Sequence, residues 1–219
     1  MVDALKIQDI KKEHLLALAE LYEKGIPNAV FCALGRRFLA TFFGFLSARE
    51  DVCSLAGVNE AGEVKGAIVG TLHRSRSYRA VLKKHAASLA VAAGWRCVSP
   101  RLLLWLIRSA IDKLRPRANQ PDLPEAELLV ISIHPSAQGT GLAQRLVEDM
   151  ERRFRQMGFS GEYTILTEAN NERANRFYQR MGATLVAQTP HRGLLINGYR
   201  KAVAAAESRK NERRSDPGL

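Results

Sequence analysis

The chain is poor in cysteine: of 219 residues only Cys32, Cys53 and Cys97 carry a thiol, and no two stand at Cys-x-x-Cys spacing. An odd, scattered set excludes a disulfide framework and a thiolate zinc site, and fits reduced, structural thiols in a cytoplasmic protein. Long hydrophobic runs are missing too. The longest strongly apolar one, Leu102 to Ile107, is far below the roughly 20 residues that span a bilayer. The opening MVDALKIQDIKKEH holds no uninterrupted apolar stretch, so no signal peptide is expected. Acidic residues are scarce, 22 against 33 Lys and Arg, for a formal charge of +11. The scarcity is local: residues 74–117 hold eleven basic residues and one acid, Asp112, and residues 200–219 hold six basic and three acidic ones. The rest of the chain is slightly acidic, which excludes a uniform nucleic-acid coat, and no zinc-ligand set, RNP-type aromatic set or helix-turn-helix signal replaces one. What remains is one basic patch facing something anionic.

Apolar residues make up 46% of the chain, enough for a real core. Periodicity predicts a strand over 4–10 and a helix over 12–23, closed by Gly25 and Pro27. A second helix over 34–48 gathers Phe38, Leu39, Phe42 and Leu46 on one face. Strands over 52–59 and 64–72 are joined by the short turn Glu60-Ala61-Gly62. Over 74–124 the pattern predicts two helices and no strand. The first covers 78–93; the second opens at Ser99 and Pro100 and carries Arg101, Arg108 and Arg115 on one face. Strand and helix then alternate: strand 127–133, helix 142–157, strand 163–167, helix 171–181, and closing strands over 184–188 and 194–200. The helix over 142–157 is expected to bury Leu142, Leu146, Met150 and Phe154 and to carry the exposed pairs Glu148–Arg152 and Glu151–Arg155. Residues 202–219 are polar and are expected to be a disordered basic tail, leaving a single domain over 1–201 with a basic insertion at 74–124.

The stretch HPSAQGTGLAQRLV, residues 134–147, leads from a strand straight into a helix. The first N–H groups of a helix lack intrahelical acceptors, and the helix dipole adds about half a positive charge there. Gly139 and Gly141 carry no side chain to hold a ligand away, while Gln138 offers an amide and Thr140 a hydroxyl. The stretch is either a plain glycine turn or a phosphate cradle made from backbone. It is not a dinucleotide fingerprint, since Gln144 stands where the third glycine belongs, nor a Walker loop, since no Gly-Lys-Ser/Thr follows.

Together with TEANNERANRFYQRMGATLV, this stretch resembles the GNAT superfamily of acyl-CoA-dependent N-acetyltransferases. The family marker Gln/Arg-x-x-Gly-x-Gly/Ala matches Gln138 to Ala143. The second marker, Asn-x-x-Ala-x-x-aromatic-Tyr-x-x-x-Gly, matches Asn171 to Gly182. The resemblance implies an α/β (α+β) fold with a mixed, mostly antiparallel central sheet, flanking helices and a helical insertion between the third and fourth strands. It implies acetyl-CoA as acyl donor and no metal. The pyrophosphate would lie on the N–H groups of Gly139, Thr140, Gly141, Leu142 and Ala143 beside Gln138. The pantetheine arm would pair with Ile131 and Ile133, with Asn171 on its other side. Tyr178 corresponds to the tyrosine that protonates the leaving thiolate. Glu127 stands in a register where some members place a catalytic glutamate, with His134 and Glu168 near the same strand ends. Where ribosomal-protein N-terminal acetyltransferases tend to carry a glutamate, this chain has Leu166.

The resemblance leaves the acceptor open. The basic insertion fits an anionic small-molecule amine such as a nucleotide-linked amino sugar, an anionic membrane surface met by Trp95, Trp105 and the arginines, or a merely solvated face. A protein or peptide N-terminus is the other acceptor. A non-enzymatic module binding nucleic acid or a membrane surface is the alternative of another class.

Overall fold

The computed structural model describes residues 5–26, 29–94, 123–191 and 193–204. The second helix expected in the insertion and the tail beyond 204 lie outside the described residues. One seven-stranded sheet runs through the molecule in the order β1-β2-β3-β4-β5-β7-β6. Its strands are β1 (Lys6–Asp9), β2 (Val52–Val58), β3 (Val64–Thr71), β4 (Glu127–Ile133), β5 (Glu162–Glu168), β6 (Thr184–His191) and β7 (Leu194–Ala202). Every neighbouring pair is antiparallel except β4 and β5. The expected mixed, mostly antiparallel sheet is therefore present.

Because side chains alternate across a strand, the two faces of the sheet collect different residues. Val52, Ala67, Val69 and Val130 face one core with α1 (Leu15–Gly25), α2 (Arg36–Ser47), α3 (Arg74–Lys84) and α4 (Ala86–Ala93). Cys53, Leu55, Ile68 and Leu128 face the other, with α5 (Leu142–Gln156) and α6 (Glu172–Arg180). The α5 stripe is the expected one: Leu142, Leu146, Met150 and Phe154 are all buried. The helix comes so close to the sheet that a Cβ on Gly57 would lie 2.6 Å from Leu142 Cδ1. That contact seats the first residue of α5 against β2.

Two local expectations are corrected. The helix expected over 78–93 is two helices, starting at Arg74 and broken at His85, which leaves helical geometry at φ −120°. The His85 ring stacks on Phe45, centroids 3.6 Å apart, and this tertiary contact turns the chain. The expected exposed pairs on α5 do not form as drawn. Glu151 is buried and accepts from Lys201 Nζ at 2.5 Å and Tyr163 Oη at 2.7 Å. Arg155 instead donates to the Ala204 carbonyl, and Arg152 pairs with Asp149 at 2.9 Å. Cys32 and Cys53 form no disulfide, the Cys32 thiol donating to the Ile26 carbonyl at 3.4 Å, and burial pushes the two thiols up to about 11 and about 12. Both are therefore structural. Among the described residues no helix is long and apolar enough to cross a membrane.

Candidate active site

β4 and β5 run side by side for only two register pairs, Glu127 with Thr164 and Leu128 with Ile165. Beyond them the strands part, although β4 continues to Ile133 and β5 to Glu168. The apex of this wedge coincides with a bulge: against β3 the register passes from Val69–Val130 to Gly70–Leu128, leaving Leu129 as the extra residue. At the far end of β4, His134 N donates to Lys65 O at 2.8 Å. In an alternating antiparallel ladder this turns the backbone groups of Val130, Ser132 and His134 toward β3, and those of Ile131 and Ile133 into the wedge. An extended, amide-bearing ligand can bond these two residues as an added strand does, the Ile133 carbonyl being shared with the side chain of Gln138.

The loop past β4 closes the wide end of the wedge. His134 caps a short turn, its Nδ1 lying 2.8 Å from Ser136 Oγ and accepting from Ser136 N at 3.3 Å. Gly139 and Gly141 then take φ values of +81° and +79°, which glycine adopts without strain. An added Cβ would meet nothing within 4 Å at either position, so the loop faces open space. The N–H groups from Gly139 to Gln144 meet no backbone acceptor among the described residues, and together they form an anion cradle at the start of the fifteen-residue helix α5. The side chains behave differently from the expectation. Thr140 Oγ1 donates to the Ala137 carbonyl at 2.7 Å. Gln138 Nε2 donates to the Ile133 carbonyl at 3.4 Å while its Oε1 accepts from Arg173. The cradle is thus backbone, and these two side chains brace it.

The opposite wall is the start of α6. Asn171 caps the helix, its Oδ1 accepting from Ala174 N at 3.1 Å, and its Nδ2 meets no acceptor among the described residues. Two turns on, Tyr178 is buried in the same core as Leu128, Ile165 and Tyr199. Burial pushes its phenol well above the usual tyrosine range, so the hydroxyl stays protonated. No hydrogen bond engages that hydroxyl among the described residues.

Glu127 sits at the closed end of the wedge, buried, with Oε2 3.3 Å from Arg74 Nε. The carboxylate offered by sequence register as a proton acceptor is held here in an ion pair between β4 and α3.

Two residues were not anticipated. Arg173 joins α6 to the glycine loop through Gln138 and makes no ion pair among the described residues. Its signal was its position: a cation in the first turn of a helix opposes the dipole, and something else must favour it. Asn175 is buried and uses both ends of its amide, bonding the carbonyls of Glu168, Ala169 and Asn171 and the side chains of Asn197 and Tyr199.

A wedge that can pair with an extended chain, an amide cradle for a diphosphate at its mouth and a protonated phenol behind its apex suit a thioester of coenzyme A. Several solved structures share the fold. The structure of SsHAT is 19% identical, covers 92% of this chain and 100% of its own, and superposes with a TM-score of 0.65. Arabidopsis thaliana NAA60 in complex with acetyl-CoA is 13% identical over 91% of this chain and 98% of its own, TM-score 0.57. Salmonella typhimurium yncA with its cofactor acetyl-CoA is 16% identical over 94% of this chain and 98% of its own, TM-score 0.54. Among curated protein sequences none matches the chain. The profile of the acetyltransferase (GNAT) family matches residues 18–183, a span that holds the wedge, the glycine loop and α6 together, and the chain belongs to that family.

Proposed function

We propose that the protein transfers the acetyl group of acetyl-CoA to the primary amine of a small, negatively charged molecule, such as a nucleotide-linked amino sugar. The observation that carries this reading is the wedge itself: two register pairs, then strand backbone groups at Ile131 and Ile133 that no neighbouring strand pairs, leading to the open amides of Gly139 to Ala143. Acetyl-CoA supplies an activated acyl thioester. The amides of Gly139, Thr140, Gly141, Leu142 and Ala143 hold its pyrophosphate, Ile131 and Ile133 pair with its pantetheine arm, and Asn171 Nδ2 bonds that arm from α6. An amine of pKa about 10.4 is neutral in roughly one molecule in two thousand at pH 7, so the incoming ammonium must lose a proton before it can attack. Entry into the wedge desolvates it, and water at the rim accepts the proton. Tyr178 Oη gives its proton to the departing sulfur, and burial keeps that proton in place until then. Glu127 is assigned to the ion pair with Arg74 rather than to proton abstraction.

A protein or peptide N-terminus is the competing acceptor. On β5, Leu166 is 41% exposed and presents an apolar side chain where a carboxylate would meet an N-terminal ammonium, which favours the small molecule. Acetyl-CoA raises the melting temperature of the protein on this reading, and Gly141→Trp abolishes the rise by filling the cradle. No shift at millimolar acetyl-CoA sinks the reading. A thiol-release screen across phosphorylated amino sugars, polyamines and N-terminal peptides then identifies the acceptor class.

A further inference from the structure

The face of α3 that turns away from the core lines a basic cleft. The helix is fixed at its start to the segment entering β4: Arg74 N donates to Glu125 O at 3.0 Å, and Ser75 N and Oγ donate to the two oxygens of the Glu125 carboxylate, each at 3.0 Å. Its inner face, Ser77, Tyr78 and Val81, is buried. Its outer face sets Arg76, Arg79 and Lys83 in one exposed stripe, three and four residues apart. With His73, Ser75 and Glu125 they line a cleft of about 490 Å³, within the size range of small-ligand sites.

Three cations within two turns repel one another, and a doubly charged anion between them converts that repulsion into attraction. Arg76 and Lys83 make no ion pair among the described residues. Glu125, the one carboxylate among the described lining residues, accepts from Ser75 with both oxygens and keeps its negative charge, so one carboxylate stands against the three cations of the stripe. Three basic side chains lining a volume of this size favour a small anionic ligand over a membrane surface. Its position is also informative: Glu125 stands two residues before β4 begins at Glu127, the closed end of the wedge, and α3 packs on the same face as α1 and α2. We propose that this cleft binds the phosphoryl group of a phosphorylated or nucleotide-linked acceptor whose amine enters the wedge. The acceptor role rests on the acetyltransferase reading above; the binding site can be tested apart from it.

The probe is inorganic pyrophosphate, titrated calorimetrically into the full chain saturated with CoA so that the glycine cradle is filled. Saturable binding is expected, weakened at least tenfold in Arg76→Ala/Lys83→Ala and lost in Arg76→Glu/Lys83→Glu, with both variants still stabilised by acetyl-CoA. Absent binding in the wild type, or binding that survives the charge reversal, overturns the proposal. So does capture by phosphatidylglycerol vesicles that pyrophosphate fails to displace, since the stripe would then face a membrane. If acetyl-CoA gives no thermal shift, the acetyltransferase reading falls, and the titration repeated without CoA still decides the cleft.

Discussion

Asn175 Oδ1 accepts two hydrogen bonds from β7 at once, from Asn197 Nδ2 and from Tyr199 Oη, each 2.8 Å long. Its Nδ2 donates to the carbonyls of Glu168, Ala169 and Asn171 at 3.0, 3.2 and 2.7 Å. One buried amide therefore ties the end of β5, the start of α6 and the middle of β7 together, less than one turn before Tyr178. Asn197 extends the network by accepting from Gln188 Nε2 at 2.9 Å. Asn175→Ala leaves several of these groups without a partner, and at about 1–3 kcal/mol for each unsatisfied buried group a loss of roughly 3 kcal/mol is expected in denaturant unfolding. Turnover should fall more than acetyl-CoA affinity, because the tyrosine moves while the cradle stays. Stability within about 0.5 kcal/mol of wild type would mean that water substitutes for the amide.

Tyr178→Phe isolates the phenol. The ring remains, so the core with Tyr199 is kept, and only the hydroxyl is lost. General acids contribute about 10²–10⁴ in rate, and a kcat loss in that range is expected, with the affinity for acetyl-CoA nearly constant. Because burial raises this group above the ordinary tyrosine range, its protonated form persists through alkaline pH. The wild-type rate should therefore show no decline near pH 10 that Tyr178→Phe removes. A phenylalanine variant with full turnover excludes the hydroxyl from the reaction.

Much of the site was legible because it is local. The strand, the two glycines and the α5 stripe of Leu142, Leu146, Met150 and Phe154 follow one another in sequence, and the fold places them as periodicity requires. The wedge was accessible only through the family resemblance, because Ile131 and Ile133 alternate in the same way whether or not a neighbouring strand pairs with them. Glu151 was misplaced because a glutamate four residues from an arginine on a helix matches the pattern of an exposed ion pair. Its actual partner, Lys201, stands fifty residues away on β7. Asn175 was invisible for a related reason: a lone polar residue on a short helix gives no sign that five groups from two strands and a loop converge on it.

Glu127→Gln tests the assignment of the carboxylate to Arg74. Both side chains are 9% exposed, so the substitution removes the Glu127 charge from beside a buried guanidinium. Removing one member of a buried pair costs about 3–5 kcal/mol, and the lower end is expected because Glu125 Oε1 lies 3.9 Å from Arg74 Nη2. The acidic limb of the kcat/KM profile should survive in the folded variant. Its disappearance, with stability intact, would restore Glu127 as the proton acceptor.

Asp51 gives the clearest pH dependence. Burial works to raise its carboxyl, but hydrogen bonds from Arg49 and Ser77 and the charge of Arg49 outweigh it and hold the group below the usual aspartate range. The contacts are Arg49 Nε to Oδ1 at 2.8 Å and Ser77 Oγ to Oδ2 at 3.0 Å, so Asp51 links the start of β2 to α3. A depressed folded-state value means that the unfolded chain takes up this proton first as pH falls. The stabilisation is then complete above the unfolded value of about 3.9 and is lost as pH drops through the folded one. Asp51→Asn should be less stable than wild type at pH 7, and the difference should shrink on acidification from about pH 5 downward. Chemical denaturation at a series of pH values measures it. A difference that stays constant from pH 7 to pH 3 would show that the charge of Asp51 contributes nothing beyond what asparagine supplies.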